Sequence, residues 1–187
     1  GREYLEPIID AMKKNRFIHI CYFNYWKGDT RDHYVMPLCV KLFRQRWYMV
    51  GRNWPAGRDL VFCLDRIRDF RISSHTFKFP EDFDTQEYFN GCIGVIPGDR
   101  CGIEKVKIKV SSGQANYLRD LPLHDSQQET EQTDEYSIFE LLVRPTFDFQ
   151  QELLWNGEDL EVLEPLWLRK EVAGKIKRMW NRYKEDE

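Results

Sequence analysis

The sequence predicts an α+β chain in two modules. The first is a small five-stranded β-barrel of the SH3 or Sm kind with a leading helix. The second is a ferredoxin-like βαββαβ module with a C-terminal helix. Five short runs rich in aromatic and β-branched residues crowd into residues 17–73, joined by tight turns. Beyond residue 103, strand-like alternation and helix-like stripes follow one another in the split strand-helix-strand-strand-helix-strand order. Charge divides along the same line: residues 1–75 hold 14 Lys/Arg against 8 Asp/Glu, and residues 76–187 hold 14 against 23. A basic first half can attract polyanions, and its modest excess suits a ligand better than a coat along duplex DNA.

Residues 3–15 read as a helix, with Leu5, Ile8, Ile9 and Met12 in one stripe, acids early, Lys13 and Lys14 late, and Asn15 as a stop. Phe17 to Tyr25 reads as the first strand and Lys27-Gly28-Asp29 as a turn. Residues 33–43 form the second strand, where Pro37 marks an edge or a bulge, and period two places His33 and Lys41 on one face. The strand at 46–52 places Trp47, Met49 and Gly51 on a side that can be buried. Arg46, Tyr48, Val50 and Arg52 fall on the other. Residues 53–59 read as a loop, Leu60 to Leu64 as a fourth strand, Asp65-Arg66 as a corner and Ile67 to Ser73 as a fifth strand.

Residues 76–102 read as a connector anchored by Phe77, Phe79 and Phe83. Asp84 caps a short helix through Asn90, and Pro97-Gly98-Asp99-Arg100 forms a turn. The second module follows over 103–187: a strand from Glu104 to Val110 with lysines on one face, a helix near 114–120, strands at 126–131 and 136–143, and a helix at 147–156. A strand at 160–163 and a long helix at 166–184 complete it. Trp167, Leu168, Val172, Ile176, Met179 and Trp180 give the last helix an apolar stripe fit for a dimer arm, with Lys175, Lys177, Arg178, Arg182 and Lys184 on its solvated side.

Hydrophobic content of 42% with 14% aromatics is enough for a packed core. The apolar runs fall far short of the ~18 residues a membrane span needs, and no signal peptide is read. Five cysteines, odd in number and without a CxxC pair, point to reduced thiols and a cytoplasmic setting. His19, His33, His75 and His124 stand singly among them without zinc spacing, so no metal or cofactor is expected. There is no G-x-S-x-G, H-E-x-x-H or phosphate loop, and an enzyme is not expected. His124-Asp125-Ser126 reads as a loop, because three consecutive residues cannot face one another as nucleophile, base and orienter.

Tyr22, Pro37, the run Arg46-Trp47-Tyr48-Met49 and the run Phe62-Cys63-Leu64-Asp65-Arg66-Ile67 resemble the signature of the WYL domain, with Met where Leu is usual. Phe147-Asp148-Phe149 and Val162-Leu163-Glu164-Pro165 before Leu168-Arg169 are similar to the WCX extension that follows it. The resemblance implies an Sm-like barrel that senses a ligand, an extension that supports dimerisation, and a bacterial transcriptional regulator. Its partners would be single-stranded nucleic acid or a nucleotide-like ligand, and a second copy in a homodimer. Duplex DNA would be reached only through a helix-turn-helix absent from this chain. Where the family often carries Arg four residues before the strand proline, this chain has His33, with Arg31 two residues earlier, which implies a weaker or pH-dependent site.

The candidate ligand residues are therefore Tyr22, Arg31, His33, Lys41, Arg46, Tyr48, Arg52, Arg58 and Arg66. Guanidiniums pair phosphate through their fork while rings stack on bases. Asp65-Arg66 also fits a simple turn lock, and Tyr22 fits core or site equally. The rival expectation is a protein-interaction module modulating a partner enzyme without a small ligand, presenting Trp26 and Trp54 from loops.

Overall fold

The computed structural model describes residues 1–97 and 101–184, so the Pro97–Arg100 turn lies largely outside the described residues. The chain divides into two compact units, Gly1–Tyr88 and Phe89–Glu187. Each carries one antiparallel sheet, in the order β4 (Arg58–Cys63), β3 (Arg46–Trp54), β2 (Asp29–Phe43), β1 (Arg16–Asn24), β5 (Ile67–Thr76) for the first and β7 (Gln128–Gln132), β8 (Tyr136–Val143), β6 (Glu104–Ser111), β9 (Leu160–Glu164) for the second.

A 3-10 turn at Arg2–Tyr4 opens the first unit and runs into α1 (Leu5–Lys13). The helix buries Ile8 and Ala11 completely and ends where Asn15 takes a left-handed φ of 48°. It packs on β1 (Arg16–Asn24) and β2 (Asp29–Phe43). Ile18, Ile20, Val35, Met49, Phe62, Leu64 and Ile67 complete that core, with Trp47 partly buried against it.

β2 carries a bulge: Pro37 pairs with Gly51, and the next pair is Cys39 with Val50, so Leu38 is an extra residue. β2 turns into β3 (Arg46–Trp54) through Arg44 and Gln45, both at positive φ (46° and 64°). That is the backbone of a two-residue primed hairpin turn, built here without the Asn or Gly such turns favour. β3 runs two residues further than its sequence suggests, and β4 (Arg58–Cys63) begins two residues earlier. The expected loop at 53–59 therefore shrinks to three residues, with the Gly57 N–H closing on the Asn53 carbonyl at 2.8 Å.

β4 and β5 (Ile67–Thr76) lie at opposite edges of the ladder, yet only the 3-10 turn Leu64–Arg66 separates them in sequence. A flat five-stranded sheet would hold its edges about 19 Å apart. Three residues in a 3-10 turn cannot reach that far, so the sheet is strongly curled. No ladder joins β4 to β5 among the described residues, and a closed barrel is not seen.

Thr85–Tyr88 forms a single helical turn, α2, whose Glu87 N–H is capped by Asp84 at 2.8 Å and which stops short of Asn90.

The second unit alternates β6 (Glu104–Ser111), α3 (Ser112–Asp120), β7 (Gln128–Gln132), β8 (Tyr136–Val143), α4 (Phe147–Trp155), β9 (Leu160–Glu164) and α5 (Leu166–Tyr183). Its strand order is the one the split pattern requires. Val106, Ile108, Val110, Phe139, Leu141, Val143 and Val162 face Ala115, Leu118, Phe149, Leu153, Leu168 and Val172 from the three helices. The opposite face carries Lys105 and Lys107 paired to Glu140.

The segment before β6 is held rather than loose. The Arg144 guanidinium donates to the carbonyls of Asn90 and Cys101 at 2.8 and 2.7 Å, and one Asp148 oxygen accepts the N–H groups of Val95 and Ile96 at 2.8 and 3.1 Å. The apolar stripe of α5 is mostly uncovered: Leu168 and Val172 are buried, while Ile176, Met179, Trp180 and Tyr183 are exposed. All five cysteines are free thiols. No helix among the described residues is long and apolar enough to cross a membrane.

Candidate functional site

Partners across a ladder share a face, so the register sorts eight of the nine candidate residues into two groups, with Arg66 in the 3-10 turn outside the ladders. Ile18 pairs with Val35, Ile20 with His33 and Tyr22 with Arg31. Because Ile18, Ile20 and Val35 are core, Tyr22, Arg31 and His33 lie on the inner, concave face. Beyond them, Val35 pairs with Asn53, which pairs with Arg58. Lys41 pairs with Tyr48, and Arg46, Tyr48 and Arg52 alternate with core Trp47 and Met49; these four lie on the outer face.

The bulge corrects one expectation directly. His33 and Lys41 are both odd-numbered and would share a face on a regular strand. The extra residue at Leu38 inverts the alternation and sends Lys41 outward.

On the inner face a polar row runs from residue to neighbouring residue. The His33 Nδ1 meets the Asn53 Oδ1 at 3.1 Å, which places the ring proton on Nδ1 and leaves Nε2 pointing elsewhere. Phe62 forms the floor, edge-on to Tyr22 at 5.2 Å and to His33 at 5.1 Å. The Cys63 N–H donates to the Tyr22 hydroxyl at 3.1 Å. Burial pushes the Tyr22 phenol above its ordinary range, with that N–H and the Arg66 guanidinium working the other way. The hydroxyl therefore keeps its proton at neutral pH.

Arg66 lies 4.3 Å over the Tyr25 ring, and its Nε is buried without an acceptor among the described residues. Arg31 is exposed and leans on Asp29 at 3.2 Å. Arg58 is exposed directly across from Asn53. Tyr22 is thus half-buried at the rim of the core with its hydroxyl at the polar row.

The outer face is arranged differently. The Arg52 guanidinium is held by both oxygens of Asp59, at 2.7 and 3.0 Å, and by Asp82 at 2.8 Å. Those carboxylates, Asp59 first, raise its pKa well above the usual arginine value. Asp59, Glu81, Asp82, Asp84 and Glu87 line a hollow of about 240 Å³ beside Phe83 and Tyr88, a surrounding that repels anions. Arg46 reaches toward Asp65 at 3.6 Å. Arg52 lies six residue steps along β3 from Arg46, about 20 Å, so the two cannot share one phosphate. Arg46, Tyr48 and Arg52 do share a strand face, and of the three Arg52 is engaged by carboxylates that tie β3 to β4 and to the segment before α2.

Asn53 and Phe62 belong to the inner-face arrangement without being among the nine candidates, and Tyr25 lies in the turn after β1, under Arg66. Asn53 would have been found by extending the β3 alternation by one more period. Among the described residues no group of three or more His, Cys, Asp or Glu side chains could hold a metal ion. Burial pushes the Cys39, Cys63 and Cys101 thiols up, which keeps them protonated. In the second unit His124 and Ser126 do meet at 2.8 Å, but the serine oxygen also bonds the Leu142 carbonyl and N–H, so it serves as a loop fastening.

The family model described as the WYL domain matches residues 3–72, and that of the WCX domain matches residues 103–180. Among solved structures, one titled a CRISPR Cas-related protein aligns with a TM-score of 0.53 at 14% identity, over 96% of this chain and 51% of that one. Proteasome accessory factor B/C (PafBC) of Arthrobacter aurescens aligns with a TM-score of 0.43 at 18% identity, over 92% of this chain and 26% of that one. The chain thus spans about half and about a quarter of these two proteins. No curated protein matches it.

Proposed function

We propose that this chain, which belongs to the WYL-domain family and continues into a WCX domain, is the ligand-sensing and dimerising region of a bacterial transcriptional regulator. The ligand is a nucleic acid or a nucleotide-like anion, and the role is not catalytic. In this reading residues 1–75 are an Sm-like barrel with its leading helix, 76–102 a connector and 103–187 the dimerising module. The curled sheet and its 3-10 turn from edge to edge support the barrel description.

One observation carries the reading: register puts Tyr22, Arg31, His33 and Arg58 on one face, Phe62 lies edge-on to Tyr22 and His33, Arg66 acts on the Tyr22 hydroxyl from the adjoining 3-10 turn, and an acid-lined hollow lies on the other face. Arginine forks and the Tyr22 hydroxyl would take phosphate oxygens, and His33 Nε2 would accept a hydrogen bond from a base edge or, when protonated, donate to an anion. A ligand that prefers one conformation of this face would bias the regulator's equilibrium by its differential affinity.

Anisotropy titration with a labelled oligonucleotide and with a nucleotide, across a range of salt, tests it. Replacing Arg31 and Arg58 together by Ala should flatten the salt dependence by about 0.7 in log–log slope per lost contact. Unchanged binding in that variant would sink the site.

The uncovered stripe of α5 supports a homodimer in the same reading, and sedimentation of wild type against Trp180→Asp and Met179→Asp checks it. The exposure of Trp54, 52%, favours the rival protein-interaction reading. Pull-down with and without nuclease separates the two.

A further inference from the structure

We infer that the tip of the β1–β2 hairpin is a base-stacking platform for single-stranded nucleic acid, with the bare indole of Trp26 as its stacking surface. The inference rests on the ligand reading above and deepens it from an anion site to a polymer site.

Arginines and rings interleave at this end of the first unit. The Arg68 guanidinium lies 5.2 Å over Phe23, Phe23 meets Tyr25 edge-on at 5.7 Å, and Tyr25 lies under Arg66 at 4.3 Å. Trp26 comes next in the chain and is 95% exposed. Its backbone is nonetheless fixed. The Asn24 Oδ1 accepts the N–H groups of Trp26 and Lys27 at 2.9 and 3.2 Å, and the Gly28 N–H closes on the Asn24 carbonyl at 2.8 Å. A ring on a pinned turn loses little conformational entropy when a flat partner covers it. Lys27 beside it is exposed, and Arg31 follows on the returning strand, with Asp29 as the carboxylate facing it.

Unpaired bases offer ring faces, whereas in a duplex those faces are already stacked, so this chemistry selects a single strand. A mononucleotide is too short for the whole surface. Arg58 on β4 and Arg31 on β2 are about 10 Å apart in strand spacing alone, and the tip extends the surface further. Phosphates on Arg31, Arg58 and Arg66 with a base on Trp26 require several linked nucleotides.

The test uses the 187-residue chain and two labelled strands of about a dozen nucleotides, one of thymidine and one abasic with the same phosphates, plus thymidine monophosphate as a third probe. Trp26→Ala should weaken the base-bearing strand roughly 5- to 100-fold, leave the abasic strand unchanged, and be largely rescued by Trp26→Phe. Far-ultraviolet circular dichroism should be unaltered, given the exposure of the ring. Equal losses on both strands, or none on the thymidine strand, would overturn the platform. Binding of the monophosphate without either strand would also overturn it while leaving the anion site standing. No binding of any probe to the wild type would overturn both.

Discussion

Arg52 and Asp59 face each other across the β3–β4 ladder and form a two-pronged ion pair at 2.7 and 3.0 Å, with the guanidinium 17% and the carboxylate 20% exposed. Asp82 adds a third contact from the segment before α2. An arginine that the sequence offers as a ligand hook is thereby a fastening for the sheet. Arg52→Ala is expected to cost about 1–3 kcal/mol of stability by stranding Asp59. Arg46→Ala, at an exposed position, should cost less than about 0.5 kcal/mol. Urea denaturation checks both, and oligonucleotide affinity should be unchanged in whatever fraction of either variant is folded.

Gly51 is required by closeness rather than by backbone conformation. A Cβ there would lie 2.2 Å from Cγ1 of Val35 and 3.2 Å from the Met36 carbonyl. Val35 is fully buried and β-branched, so it cannot swing aside. Gly51→Ala should destabilise the first unit by about 1–3 kcal/mol, read as a lower thermal midpoint.

The β2–β3 turn carries stored strain at Arg44 and Gln45, whose left-handed backbones cost a side-chain-bearing residue about 1–2 kcal/mol each. Gln45→Gly should stabilise by about 0.5–1 kcal/mol after the added flexibility of the unfolded chain is counted. Gain of stability at a surface turn with no lost contact is the outcome to look for in denaturant melts.

Gly94 and Asp148 are a matched pair. A Cβ on Gly94 would fall 2.0 Å from the carboxylate oxygen that accepts the Val95 and Ile96 N–H groups. Gly94→Ala and Asp148→Ala should both speed amide hydrogen exchange at Val95 and Ile96 while the core amides of β6 and β8 stay protected.

Arg119 and Glu129 tie α3 to the exposed edge strand β7 at 2.9 and 2.6 Å. Its arginine partner holds the Glu129 carboxyl below its ordinary range. A depressed carboxylate contributes stability above its unfolded pKa and loses it as pH falls through the folded value. Glu129→Gln should therefore lower the melting temperature slightly at neutral pH and match the wild type in acid below the carboxylate range, with the gap narrowing in high salt.

Much of the architecture was legible because it is written in local alternation. Val106, Ile108 and Val110 against three lysines, or Trp47 and Met49 against Arg46 and Tyr48, announce a strand and its buried side without knowledge of a partner. The site was legible as a set of residue types and not as a place. Asp82 lies thirty residues from Arg52, and nothing local tells an arginine that it will be neutralised from there. The seven-residue separation of Asp59 from Arg52 was hidden by reading breaker residues as a loop when Asn53 and Arg58 in fact pair across the hairpin. Tyr22 meets Cys63 and Arg66 only because the sheet curls, which is a property of the whole first unit. The turn at Arg44-Gln45 lacks the glycine or asparagine that would have flagged its positive φ.

The extra residue at Leu38 makes β2 two half-strands with opposite in–out codes. Up to Pro37 an odd position points inward; from Cys39 onward an even one does. Shortening the chain by one residue there would exchange Val40 for Lys41 at the core wall. An indel that a surface loop would absorb acts at this point as a frame change for every side chain that follows it on the strand.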